Sequence, residues 1–207
     1  LIQEFGHISM AYTHYLLAIN YLESEENSSA EKSFRNALSS FTLVNNPLDY
    51  TSILLECYNS LAFLLLNRDE DRLGLGILKK AEALYTLILS KYTETQAEPI
   101  EHSLQKLIMT SSSSIFKPIL ASSYNDSCSK IQVETQHTLT LFYLAQAFTK
   151  SGDKCNGAKY CGYTMKRQFV TNSYEIKDWS VNCISLAEYY VSQTNFAQAY
   201  YLILSAL

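Results

Sequence analysis

Tyr58-Asn59-Ser60-Leu61-Ala62-Phe63-Leu64-Leu65, followed by Gly74, Leu78 and Ala81, decides the fold of this 207-residue chain. From Ile53 onward, Leu54, Tyr58, Leu61, Ala62 and Leu65 recur at the three- and four-residue spacing that lines one face of a helix. The second stretch sets small, large, small at Gly74, Leu78 and Ala81. Small residues mark where two helices cross closely, and large ones fill the space on either side. The reading is a helical hairpin.

The same arrangement returns three more times. One copy runs His14, Leu17-Ala18, Tyr21, then Ala30, Phe34, Ala37. Another runs Leu141, Leu144-Ala145, Phe148, then Gly157, Cys161, Thr164. The last runs Cys183, Leu186-Ala187, Tyr190, then Ala199, Ile203, Ala206, with Phe196 between the helices. Four matched pairs at fixed offsets resemble the tetratricopeptide repeat, so the expected fold is all-α, an α-solenoid of tetratricopeptide-like helix pairs. Equivalent positions lie 44 residues apart (Ala30 to Gly74) and 42 apart (Gly157 to Ala199), longer than the usual repeat of about 34. Gly74 to Gly157 spans 83, nearly two repeats.

That gap divides the chain into 1–97 (two helix pairs), 98–134 (an irregular Ser-rich insertion) and 135–207 (two further pairs). The insertion holds Ser111 to Ser114, Pro99 and Pro118, with a possible helix over Ile100 to Met109 and a loop at the serines. Pro47, like the other two prolines, falls between helical segments. Ser28 with Glu31, and Asn195 with Gln198, have capping-box spacing ahead of helices. The start at Leu1-Ile2-Gln3 and the apolar pattern running to Leu207 lead us to expect a piece of a longer chain.

Composition agrees with long helices: six Gly and three Pro stand beside 16 Tyr. A net charge of −4 is of the wrong sign for a general nucleic-acid binder. Apolar runs such as Leu61 to Leu66 fall far short of the roughly 18–20 residues that span a bilayer, so no membrane insertion is expected. The five Cys (Cys57, Cys128, Cys155, Cys161, Cys183) form no C-x-x-C pair, and most sit at apolar helix positions, as reduced thiols would.

No catalytic constellation appears. Asp69-Glu70-Asp71-Arg72-Leu73-Gly74 begins like a calcium loop, but Leu73 and Lys80 occupy positions five and twelve, where ligands are needed. Gly74-Leu75-Gly76 follows no strand and lacks a phosphate-loop Lys-Ser. The four histidines are dispersed. No enzyme activity, metal, cofactor or small-molecule substrate is expected, which leaves protein surfaces. The groove positions on the first helices are Tyr15 and Ile19, Asn59 and Phe63, Phe142 and Gln146, Ile184 and Glu188. None is Lys or Arg, so a carboxylate clamp is not expected and an aromatic contact is favoured.

The most distinctive stretch is Tyr160-Cys161-Gly162-Tyr163-Thr164-Met165-Lys166-Arg167-Gln168, running through Asn172 and Tyr174 to Asp178-Trp179. The basic step Lys166-Arg167 suits a helix C-terminus, and Trp179 suits a core. Together with Glu134 to Leu139, Tyr143 to Ala147, and Asp178 through Tyr190, it resembles the KIF-binding protein family. The resemblance is clear over 134–207, and earlier only through the repeat pattern. Lys154 and Gly157 depart from it, where an apolar residue and Ala are usual. The resemblance implies a non-enzymatic regulator, cytoplasmic and cytoskeleton-associated, that grips kinesin motor domains and keeps them off microtubules. It points to Thr164, Lys166, Arg167, Gln168, Asn172 and Tyr174 as partner-binding residues. The alternatives are a tetratricopeptide scaffold for an unrelated peptide or subunit, and an enzyme subunit with its catalytic part elsewhere.

Overall fold

A computed structural model describes residues 2–94 and 127–207. Pro99, Pro118, the Ile100 to Met109 helix and the Ser111 to Ser114 loop lie outside the described residues. Eight α-helices and no strand occur among those described: α1 (Ile2–Glu23), α2 (Asn27–Phe41), α3 (Thr51–Asn67), α4 (Asp71–Glu94), α5 (Ser127–Lys150), α6 (Lys154–Val170), α7 (Ile176–Ser192) and α8 (Phe196–Ser205). A single 3-10 turn, Pro47–Tyr50, leads into α3, with the proline in its first turn. The helices pack as α1 with α2, α3 with α4, α5 with α6 and α7 with α8. Successive pairs stack through α2 on α3, α3 and α4 on α5, and α6 on α7. The fold is an all-α solenoid. Helix α5 begins at Ser127, inside the stretch read as irregular.

The turns explain why the repeats keep register. Each hairpin bends at one residue in the left-handed region: Glu25 (φ 61°), Asp69 (φ 59°), Gly152 (φ 83°) and Thr194 (φ 58°). The amide of the following residue then returns to a carbonyl five residues back: Glu26 to Tyr21, Glu70 to Leu65, Asp153 to Phe148, Asn195 to Tyr190. This Schellman-type closure satisfies carbonyls that the helix end would otherwise leave unpaired. The carbonyl acceptors are the large residues that end the first-helix pattern in each repeat. The bend therefore stands a fixed distance ahead of the small crossing residue in all four hairpins.

The crossings are filled as the pattern requires. Ala18, Ala30, Ala37, Ala62, Ala81, Ala187 and Ala199 are buried, with Phe34, Leu61, Leu65, Leu78, Leu141 and Leu144 around them. Gly157, where Ala is usual, has a local cause. A Cβ built there would stand 2.5 Å from Thr149 Oγ1, whose hydroxyl is fixed by donating to the Ala145 carbonyl at 2.8 Å. The pattern fails at its margins. Leu17 and Ile203 occupy core positions of the repeat yet are exposed, because no described helix packs over those faces.

Asn195 caps α8 as expected, its side chain accepting from the Gln198 amide at 3.3 Å. The Ser28–Glu31 cap is a correction. Helix α2 starts at Asn27 after Glu26, without a side-chain cap, so Ser28 lies inside the first turn. The Schellman closure to Tyr21 sets that start two residues earlier, and Glu31 pairs instead with Arg35 and Arg68. Asp153 caps α6 by accepting from the Asn156 amide, which holds its carboxyl below the usual carboxylate range through hydrogen bonds to the Asn156 side chain and backbone.

Thr194 is β-branched in a conformation that glycine adopts without cost. Thr194→Gly is expected to raise stability by about 1 kcal/mol. Thermal unfolding checks this, and a lower melting temperature would contradict it.

Candidate partner-binding surface

Between α1, α3 and α5 lies a cleft of about 460 Å³ lined by Tyr15, Ile53, Glu56, Ile131, Thr135 and Gln136, among others. The Tyr15 hydroxyl donates to Glu56 at 2.8 Å. Burial, then this bond and the neighbouring negative charge, raise the Tyr15 pKa well above its ordinary value. Further along, Phe63 and Tyr143 meet at 5.9 Å, and Tyr143 meets Phe142 at 5.6 Å. Phe63, Phe142 and Ile184 are all partly open to solvent. One of the expected groove positions does not lie at the surface. Asn59 is buried: its amide donates to the Gln136 carbonyl at 2.8 Å and its carbonyl accepts from Thr140 at 2.8 Å.

The candidate contact residues separate into two sets. Lys166 is exposed on α6, Gln168 is half-buried, and Asn172 is exposed in the loop to α7 at φ 52°. Tyr174 is half-buried and forms a ring cluster with Phe169 (6.0 Å) and Trp179 (5.0 Å). Trp179 is not fully buried; its indole N–H donates to the Ser205 carbonyl at 3.1 Å, tying the first turn of α7 to the end of α8. Phe169, Val170 and Ile176 stand exposed around this cluster. The result is an aromatic knuckle between the third and fourth pairs, beside the Lys166 charge.

Thr164 and Arg167 point the other way. Thr164 is buried and donates to the Tyr160 carbonyl at 3.0 Å. Arg167 is only 5% exposed; its guanidinium pairs with Glu134 of α5 and reaches Thr138 and Tyr85. Neither is a surface group. The placement has a helical cause: Gly157, Tyr160, Thr164 and Arg167 follow one another at three- and four-residue steps, so all lie on the crossing face. That spacing was the available signal for Arg167; its partners Glu134 and Tyr85 carry no local mark in the sequence.

Around this ion pair the halves of the chain meet. Tyr85 of α4 donates to Glu134 at 3.0 Å and stacks on His137 of α5 at 3.5 Å between ring centroids. Burial pushes the Tyr85 hydroxyl up to about 12. Tyr160 of α6 likewise reaches back to Glu82 of α4 at 2.9 Å. His137 is fully buried and neither ring nitrogen has a hydrogen-bond partner. Burial first, and the Arg167 charge second, hold its pKa well below the ordinary histidine value.

His137 is therefore neutral in the fold, while the unfolded chain gains a proton as pH falls through about 6.5. The unfolded state then binds more protons, so stability is complete above that pH and declines below it, by at most about 1.4 kcal/mol per pH unit from this group. His137→Phe keeps the stack on Tyr85 and removes two unpaired nitrogens. The variant is expected to be more stable by about 1–3 kcal/mol. Its stability should also vary less than the parent's between about pH 7 and pH 5. Denaturant titrations at several pH values check both; identical pH slopes would contradict the assignment.

Among the described residues no three His, Cys, Asp or Glu group as a metal site requires, and no helix is long and apolar enough to cross a membrane. Asp69 of the calcium-like stretch is a turn residue that pairs with Lys150 at 2.9 Å. Cys57 and Cys183 are buried, Cys161 is half-buried and Cys155 exposed.

No family model matches the chain, and no solved structure matches it. Among curated proteins it is similar to KIF-binding protein of Rattus norvegicus, 25% identical over 202 residues, or 96% of this chain and 30% of that protein. The Homo sapiens KIF-binding protein is 24% identical over 202 residues, with the same shares covered. The Drosophila melanogaster protein is 24% identical over 193 residues, 93% of this chain and 30% of that protein. The chain thus spans about 30% of the length of the curated relatives it matches. Both halves of the solenoid lie inside these matches, so the chain is similar to KIF-binding proteins along 93–96% of its length.

Proposed function

We propose that this chain is part of a non-enzymatic regulator that binds kinesin motor domains through its solenoid and blocks their attachment to microtubules. The similarity to KIF-binding proteins along 96% of the chain carries the reading. The surface supports it. A partner is offered the aromatic side chains Phe63, Phe142 and Tyr143, the acidic Glu56 and Glu188, and the Phe169–Tyr174–Trp179 knuckle. Aromatic side chains supply large contact area at small entropic cost, and acidic groups suit a basic partner surface. Inhibition follows if regulator and tubulin need overlapping motor surface, because occupancy by one then excludes the other. Such a protein acts in the cytoplasm, beside the cytoskeleton.

Within the set first marked, Lys166, Gln168, Asn172 and Tyr174 are the contact residues, and Arg167 and Thr164 hold the helix that presents them. In the full-length protein, Lys166→Glu combined with Asn172→Ala is expected to weaken motor-domain binding about tenfold or more, while the melting temperature falls by only about 2–4 °C because alanine is strained at the left-handed Asn172 position. Unaltered binding would remove the knuckle from the interface.

A further inference from the structure

The junctions between successive pairs are not equally filled. Between the second and third pairs, Leu75 and Leu78 of α4 pack with Tyr143 and Leu144 of α5 in one cluster. The repeat register maps Leu75 to Ala158, Leu78 to Cys161 and Tyr143 to Ser185 at the junction of the third and fourth pairs. Each of the three side chains is smaller there. What results is an open cavity of about 360 Å³ between α6 and α7, lined by Gly157, Ala158, Cys161, Ser185, Leu186 and Tyr189, among others. Lys154 and Glu188, both exposed, stand among its lining residues and supply charges of opposite sign. Small apolar clefts with a few polar groups at their edge are the usual form of an anchoring pocket.

We propose that this cavity receives one Leu-, Met- or Phe-sized side chain of the bound kinesin motor domain, with an acidic neighbour of that anchor at Lys154 and a basic neighbour at Glu188. The proposal rests on the motor-binding reading and names one place where it is carried out. The occupant's size follows from the missing volume, since the equivalent wedge one junction earlier is filled by Leu75, Leu78 and Tyr143. Its polarity follows from walls of Ala158, Cys161 and Leu186, and its flanking charges follow from Lys154 and Glu188.

The test uses the full-length protein and purified kinesin motor domains, with affinity measured by calorimetry and folding followed by thermal melting. Two variants fill the cavity differently: Ala158→Leu with Cys161→Leu from within, and Ser185→Tyr from its exposed edge, where misfolding is not at issue. Both are expected to weaken binding about tenfold or more, which corresponds to one lost anchor side chain. Lys154→Glu with Glu188→Lys is expected to weaken it by a smaller factor that shrinks at high salt. If the parent binds and Ser185→Tyr binds equally well, the pocket is overturned while the motor reading stands. If the parent binds no motor domain, the motor reading fails and takes the pocket's occupant with it.

Discussion

Arg167→Met is expected to destabilise the chain by about 3–5 kcal/mol, although methionine fills much of the same volume. The guanidinium is 5% exposed and Glu134 is 16% exposed, so removing one charge strands the other beneath α6. It also withdraws the donors that reach Thr138 and Tyr85. For a chain of this size the loss corresponds to about 6–20 °C in melting temperature. Arg167→Met combined with Glu134→Leu should recover part of it, because the stranded charge is gone while the buried Tyr85 hydroxyl loses both of these partners. That pattern, a severe single and a milder double variant, distinguishes a buried ion pair from simple packing. Equal melting temperatures for parent and single variant would show that Arg167 faces solvent and would restore it to the candidate partner surface.

Phe34→Ala should cost about 3–5 kcal/mol. Phe34 is fully buried in the cluster that joins α1, α2 and α3, with Ala30 and Ala37 on either side of it. The equivalent residue in the second pair is the fully buried Leu78, where Leu78→Ala should cost about 2–5 kcal/mol. In the third pair it is Cys161, already beside a cavity, and Cys161→Ala should cost about 1 kcal/mol, near the value of a single buried methylene. Denaturant titration of the three variants therefore reads the filling of one repeat position along the solenoid. Equal costs at all three would contradict the gradient from a dense to an open junction.

Much of this architecture was legible in the sequence for a physical reason. A helix crossing demands a small residue wherever backbones approach, and Ala18, Ala62, Ala145 and Ala187 meet that demand at one offset in every pair. The left-handed turns at Glu25, Asp69, Gly152 and Thr194 share the register, yet three of the four are not glycine, so composition gave no hint of them. The site was only half legible. Tyr174 and Asn172 lie at the loop that the sequence marked, whereas Arg167, which the family resemblance placed among the contact residues, is buried. Its inward course depends on Glu134 and Tyr85, 33 and 82 residues away. Asn59 was misplaced for the same reason: its partners Gln136 and Thr140 lie in α5, across the long gap. Periodicity identifies the buried face of a helix, but not the polar groups that other helices bring to meet it.

The central claim, a solenoid that holds kinesin motors away from their track, is tested most directly by microtubule co-sedimentation. Motor domains are mixed with microtubules under conditions of tight binding, and the full-length protein is added in increasing amounts. The account predicts that motor moves from the pellet to the supernatant as a soluble complex with the added protein. The Lys166→Glu/Asn172→Ala variant should require about tenfold more protein for the same effect. Motor that remains fully in the pellet at saturating concentrations of the full-length protein would contradict the account.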